Sequence, residues 1–297
     1  MSAAVAMIGT GRMGAAMATR LAEAGHRVTV HNRTRSRADR LGLDVAATAA
    51  QAAQVADLVL VSLADDAAVV STYRGDDGIL AGLRPGAVVV DTSTVHPDTV
   101  RELGAAVRAQ GGALLDAPVS GSVPLVQRGE LTMLVGGSAA ALAQVRDVLA
   151  VLARQIFHLG DQGTGATMKL AVNAVVHGLN QALAEGVVLA ERAGIDRAAA
   201  YDVFAASAVA APFVLYKRDA YLRPDETPVA FALDLVAKDL RLIGELAQAV
   251  GAPMEQSEAN RAVVDRAVDA GLGGRDMSAI ADLLRRTADG GQPSPDP

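Results

Sequence analysis

The sequence predicts an α/β chain in two parts. The N-terminal domain is Rossmann-like, with a parallel, doubly wound sheet, and the C-terminal domain is all-α, built around a long central helix. Three observations predict this. Short apolar runs alternate with helical stretches through the first half. A glycine-rich turn follows the first of those runs. From about Gly163 the pattern is almost wholly helical, and Thr164–Ala193 contains no proline.

Taken in order, Ala3–Ile8 reads as a strand and Arg12–Ala24 as a helix that ends at Gly25. Arg27–His31, Asp57–Leu63 and Ala87–Asp91 are further strands, with Ala113–Asp116 and Leu131–Val135 after them. Strands separated by helices make βαβ units, which pair in parallel. Thr164–Ala193 is apolar nearly all round in its middle and is expected to be a buried central helix. Helical patterns follow near Arg197–Ala206, Phe231–Val250, Pro253–Ala270 and Met277–Arg286. Turn-rich Gly160–Gly165 sets the boundary. The expected domains are 1–162 and 163–287, with 288–297 a disordered tail by composition.

Composition excludes several classes of function. The 297 residues carry 27 Lys+Arg against 33 Asp+Glu, a net charge of -6, which offers no excess of cations to nucleic acid. The absence of Cys rules out disulfides, thiolate metal sites and Cys nucleophiles. None of the five histidines forms a spaced pair with a carboxylate, so no metal site is expected. No apolar run approaches the roughly 18–20 residues that span a bilayer, and the start lacks the basic segment of a signal peptide. A soluble, cytoplasmic protein without a membrane partner is the expectation.

Gly9-Thr10-Gly11-Arg12-Met13-Gly14 matches G-x-G-x-x-G between a predicted strand and a predicted helix, the context that dinucleotide binding requires. The first glycine permits the tight turn, the second lets a pyrophosphate reach the backbone at the helix N-terminus, and the third lets helix and strand pack closely. An NAD site would place an acidic residue after the second strand. This chain has Asn32-Arg33-Thr34 there. Arg33 can pair with a 2′-phosphate while Asn32 and Thr34 hydrogen-bond it, which favours NADP(H). Leu63, closing the third long strand, is counted with this cofactor-binding set. So is Thr94, in a strand-end loop of the kind where open α/β sheets bind ligands.

In the second part, Lys169 and Asn173 lie four apart on one helix face, and His177 and Asn180 continue it. Such a polar stripe either lines a wet cleft or forms an internal network. Ser120-Gly121-Ser122 follows a strand and a proline. Its backbone N–H groups and hydroxyls could hold a carboxylate, or it is an ordinary turn. Lys238 sits on a predicted helix, where a surface ion pair with Asp239 or Asp234 is the plain alternative to a functional role.

Five motifs in order carry a family resemblance: Met7–Thr34, Asp91–Thr94, Asp116–Ser122, Gly163–Lys169 with Asn173, and Lys238–Leu240. The chain resembles the β-hydroxyacid dehydrogenases, a family that includes 3-hydroxyisobutyrate dehydrogenase, glyoxylate/succinic semialdehyde reductase and 6-phosphogluconate dehydrogenase. The Asn32–Thr34 and Met168–Asn173 segments most resemble the NADPH-dependent glyoxylate/succinic semialdehyde reductase branch. The resemblance implies that Lys169 is the general acid/base and that Asn173 positions the substrate. It implies that Ser120–Ser122 bind the substrate's acid group and that Thr94 lies at the nicotinamide side. It places Lys238 in the cofactor–substrate cleft between the domains. The substrate is then a small carboxylate-bearing molecule, and the assembly a homodimer or homotetramer. Two alternatives share the fold: an imine reductase, which usually carries another residue in place of Lys169, and a non-catalytic dinucleotide-binding scaffold.

Overall fold

The computed structural model describes residues 2–288, so the tail expected over 288–297 lies, from residue 289 on, outside the described residues. Two compact units result, one running to Leu170 and the other from Ala171.

The first unit holds six parallel strands: β1 (Ala4–Ile8), β2 (Arg27–His31), β3 (Asp44–Val45), β4 (Leu58–Val61), β5 (Val88–Asp91) and β6 (Ala113–Asp116). Their order in the sheet is β3-β2-β1-β4-β5-β6, the doubly wound arrangement. Helices α1 (Arg12–Glu23), α2 (Arg35–Asp39), α3 (Ala49–Gln54), α4 (Asp66–Tyr73), α5 (Ile79–Gly82) and α6 (Pro97–Ala109) make the crossovers. Both sheet faces are buried, which is why the strands read as unbroken apolar runs. Val5, Met7, Leu58, Leu60, Val88 and Val90 enter one core cluster. Their alternating neighbours Ala6, Ile8, Val59, Val61 and Val89 enter the other.

A second, three-stranded sheet was not expected from sequence. β7 (Val119–Ser120) pairs antiparallel with β8 (Leu131–Val135), which pairs parallel with β9 (Ala153–His158), and α7 (Val123–Arg128) and α8 (Ala139–Leu149) connect them. β9 hides from a pattern reading because Arg154, Gln155 and His158 are exposed on it.

The long helix α9 runs over Thr164–Arg192. Residues 164–170 belong with the first unit, past the boundary expected at 162. The reason is a buried carboxylate. Asp116 accepts from Gly163 N at 2.9 Å and from Ala166 N at 2.8 Å, which caps α9 onto the end of β6. Gly165 is small because a Cβ there would overlap the Leu134 carbonyl. The second unit continues with α10 (Arg197–Ala206), α11 (Pro212–Leu222), α12 (Leu233–Val250), α13 (Glu255–Ala267) and α14 (Ile280–Ala288). A π-helical turn at Val268–Leu272 holds Gly271 at φ +79°, so the helix expected to reach Ala270 ends earlier. α9 is not buried all round as expected: Val175 and Leu189 are each 72% exposed. Among the described residues, no helix is long and apolar enough to cross a membrane.

Candidate active site

The carboxyl ends of β1, β2, β4 and β5 gather the predicted cofactor residues. Gly9 N donates to His31 O at 2.8 Å, and Ser62 N to Ile8 O at 2.9 Å. Gly9, at φ +92°, lies so close that a Cβ would overlap the Ser62 carbonyl and come within 2.9 Å of Leu63 Cδ2. A Cβ on Gly14 would overlap the Gly9 carbonyl, whereas one on Gly11 would meet nothing within 4 Å. Two glycines are therefore needed for packing, and the third leaves open space at the start of α1. That helix has no side-chain cap on its first turn, so its N–H groups can receive an anion. Thr10 Oγ1 is buried beside them with no partner in the protein. This arrangement fits a dinucleotide pyrophosphate.

Asn32 serves the loop itself. Its Oδ1 accepts from Thr10 N at 2.9 Å, and its Nδ2 donates to Thr34 O at 3.0 Å. With both ends of the amide engaged, the exposed Arg33 and Thr34 are the side chains left to face a ribose substituent. Arg12 is exposed and Met13 half-buried on the first turn of α1. Leu63 N donates to Ser93 Oγ at 3.0 Å, which ties the loop after β4 to the loop that carries Thr94.

Ser120 ends β7, and Ser122 stands before the first turn of α7 without capping it. Gly121 between them, at φ +139°, packs under Leu131. The segment is thus a tight turn whose Ser122 hydroxyl is not used by the helix.

On α9 the polar stripe divides. Asn180 Nδ2 donates to Met277 O at 3.0 Å, and Tyr221 Oη donates to Asn180 Oδ1 at 3.0 Å, so that end is internal structure. Lys169 is half-buried one turn before Asn173. Asn173 is buried, and its Nδ2 donates to Asp239 Oδ2 at 2.6 Å. Lys238 Nζ lies 2.9 Å from Asp239 Oδ1, with the Lys238 side chain 13% exposed. The Lys238–Asp239 pair considered from sequence therefore exists, but inside the protein. Burial pushes the Asp239 carboxyl up, yet contact with His177 and the Lys238 ammonium bring it below the usual carboxylate range. The carboxylate at the centre of this cluster was not singled out from sequence. The signal available was its position next to Lys238 in a helix that puts it on the inner face.

Asp91 and Asp116 behave oppositely. Burial raises both, and the hydrogen bonds they accept only partly offset it. Asp91 takes Tyr73 Oη at 3.0 Å and Ser93 N at 2.9 Å, which anchors the strand end before Thr94. Among the described residues, no group of His, Asp and Glu could hold a metal ion.

Residues 4–160 match the NAD binding domain of 6-phosphogluconate dehydrogenase. Residues 163–284 match the NAD-binding domain of NADP-dependent 3-hydroxyisobutyrate dehydrogenase. The chain is 33% identical over 293 residues to a NAD-dependent L-serine dehydrogenase of Pseudomonas aeruginosa, covering 95% of this chain and 98% of that one. It is 31% identical to glyoxylate/succinic semialdehyde reductase 1 of Arabidopsis thaliana, with 95% and 98% covered. It is also 33% identical to the human cytokine-like nuclear factor N-PAC, covering 93% of this chain but only 50% of that protein. Among solved structures, 3-hydroxyisobutyrate dehydrogenase of Mycobacterium tuberculosis with L-serine superposes with a TM-score of 0.82 at 30% identity, covering 96% of this chain and 100% of that one. Psf3 in complex with NADP+ gives 0.86 at 27% identity, with 94% and 99% covered. With both parts matched and about a third of positions identical along nearly its full length, the chain belongs to the β-hydroxyacid dehydrogenase family, as a nicotinamide-dinucleotide-dependent oxidoreductase of the 3-hydroxyisobutyrate dehydrogenase type.

Proposed function

We propose that the chain is an NADP(H)-dependent oxidoreductase that interconverts a small β-hydroxy acid and its semialdehyde or keto acid. Lys169 is the general acid/base, in a cytoplasmic homodimer or homotetramer. The observation that carries the reading is Lys169 standing one helical turn from an Asn173 whose amide is held by a buried, ionised Asp239. The pairing of an ammonium with an oriented amide suits a carbonyl oxygen that gains negative charge.

NADPH, when bound, would supply a hydride to the carbonyl carbon. Lys169 Nζ gives a proton to the carbonyl oxygen as it becomes a hydroxyl, and in the oxidative direction the neutral amine takes that proton back. Asn173 Oδ1, turned away from Asp239, can accept from a substrate hydroxyl. Ser120, Gly121 and Ser122 hold the substrate carboxylate through N–H and hydroxyl groups. Arg33 and Thr34 would receive the 2′-phosphate of the cofactor, Arg12, Met13 and the glycine loop would hold the pyrophosphate, and Leu63, Thr94 and Lys238 complete the proposed cofactor-binding set. The exposed Val175 and Leu189 on α9 support an assembly of several copies.

A substrate panel tests this reading. NADPH oxidation with glyoxylate or succinic semialdehyde, or NADP+ reduction with L-serine or 3-hydroxyisobutyrate, is the expected result. The methyl ester of the same substrate should turn over poorly. Turnover of a cyclic imine with none of the acids would replace the reading by an imine reductase. Tight cofactor binding with no turnover of any of them would replace it by a scaffold.

A further inference from the structure

His177 is a buried titratable side chain that the reaction above does not use. It lies on α9 one turn past Asn173 and is 3% exposed. Its ring packs 6.1 Å from the Phe231 ring. Neither ring nitrogen has a hydrogen-bond partner at normal distance. Nε2 faces Asp239 Oδ2 at 3.5 Å, the same oxygen that accepts from Asn173 Nδ2 at 2.6 Å.

An aliphatic side chain would fill this position against Phe231 without burying two polar nitrogens. What an imidazole adds is a donor aimed at the carboxylate. Asp239 is fully buried and sits among side-chain groups: Asn173, Lys238 and His177. An ionised carboxylate only accepts, so Asn173 must present its NH₂ to Asp239 and its Oδ1 away from it. The orientation of the Asn173 amide therefore depends on where the Asp239 carboxylate stands.

We propose that His177 is a positioning residue: its Nε2–H holds the Asp239 carboxylate in place, and Asp239 in turn orients the amide of Asn173 toward the substrate. The inference rests on the reading of Asn173 as a substrate-positioning residue.

Two variants separate positioning from packing. His177→Leu keeps an apolar contact with Phe231 and removes the donor. His177→Gln places an amide N–H at about the reach of Nε2. Loss of a donor that faces a charged group at 3.5 Å predicts a higher substrate KM in His177→Leu, by up to about tenfold. The dissociation constant for NADPH should stay at its wild-type value. His177→Gln should recover to within about threefold of wild type, because the donor is restored. A purely structural role would instead lower Tm and leave KM alone. Wild-type KM and kcat in His177→Leu, or equal impairment of both variants at wild-type Tm, would overturn the proposal.

A second measurement needs no variant. Nitrogen NMR of the wild-type imidazole should report the Nε2–H tautomer at neutral pH. The Nδ1–H tautomer would point a lone pair at the carboxylate and sink the proposal outright. Because the tautomer is read without turnover, the two readings can fail separately. An Nε2–H imidazole in a protein that turns over no hydroxy acid removes the proposed reaction and leaves the His177–Asp239 contact standing.

Discussion

Two lysine–aspartate pairs are buried in the helical unit, and they are built differently. Lys217, 1% exposed, donates to both oxygens of Asp276 at 2.7 and 2.8 Å. Asp276 also accepts from the backbone N–H groups of Ala230 at 2.9 Å and of Phe231 and Ser278 at 3.1 Å. That carboxylate pins the segment before α12 to the turn before α14, and its donors are mostly main chain. Asp239, by contrast, meets side chains among the described residues: the Lys238 ammonium, the Asn173 amide and His177. Backbone donors cannot be rearranged without unfolding the local chain, so the first pair is structural. A set of side chains can shift rotamers and face a ligand, so the second is suited to a site.

The comparison breaks most visibly at Lys169, whose neighbour Asn173 belongs to the side-chain-built cluster. Lys169→Ala should lower kcat by about 10²–10⁴ with little change in NADPH affinity. Lys169→Arg should not rescue it, because a guanidinium keeps its proton. If kcat at saturating substrate stays near wild type in Lys169→Ala, the side-chain cluster is not a catalytic site.

Lys217→Met should do the reverse. It strands Asp276 in a buried place, which costs about 3–5 kcal/mol. Denaturant unfolding should show that loss, while kcat per folded molecule stays unchanged. A Lys217→Met protein of normal stability but reduced turnover would reverse the assignment of the two pairs.

Arg33→Ala probes the other unit. The loss of a charge-assisted contact to a phosphate costs about 1.5–3 kcal/mol, so NADPH should bind roughly tenfold or more weakly and NADH about as before. Equal wild-type affinities for NADPH and NADH, measured by titration, would remove the preference for NADP(H).

The smallest expected effect concerns pH. Burial pushes the Asp276 carboxyl up, but Lys217 and the backbone donors bring it below the usual 3.8. A carboxylate lowered in the folded state adds stability above its unfolded value, and that stability is lost as pH falls through the folded one. Asp276→Asn should therefore flatten the acid limb of the Tm profile below about pH 4. Asp116, which burial raises, should contribute in the opposite sense, favouring the fold as it becomes protonated. An acid limb unchanged in Asp276→Asn would contradict the account of the structural pair.

The six-stranded sheet was legible because each of its longer strands buries both faces, so apolar runs stand out against the helices between them. The glycine loop was legible because its spacing reports backbone demands that few other residues meet. α11 was missed: its Pro212 start follows an apolar stretch that reads as one run from Ala205, although the chain turns between Ala206 and Pro212. β9 was missed for its polar surface, and the exposed side of α9 because apolar character alone does not say which face a neighbour covers.

Local pattern by itself determined the α/β order, the place of the dinucleotide loop, and the shared helix face of Lys169 and Asn173, since each depends on residues within a few turns of one another. Tertiary structure alone decided that Asp116 caps α9, that Lys217 closes on Asp276 across 59 positions, and that Asn173 meets Asp239 across 66. Those contacts join segments with no shared periodicity. A buried charge finds its partner through the packing of distant elements, and no spacing along the chain records which partner that is.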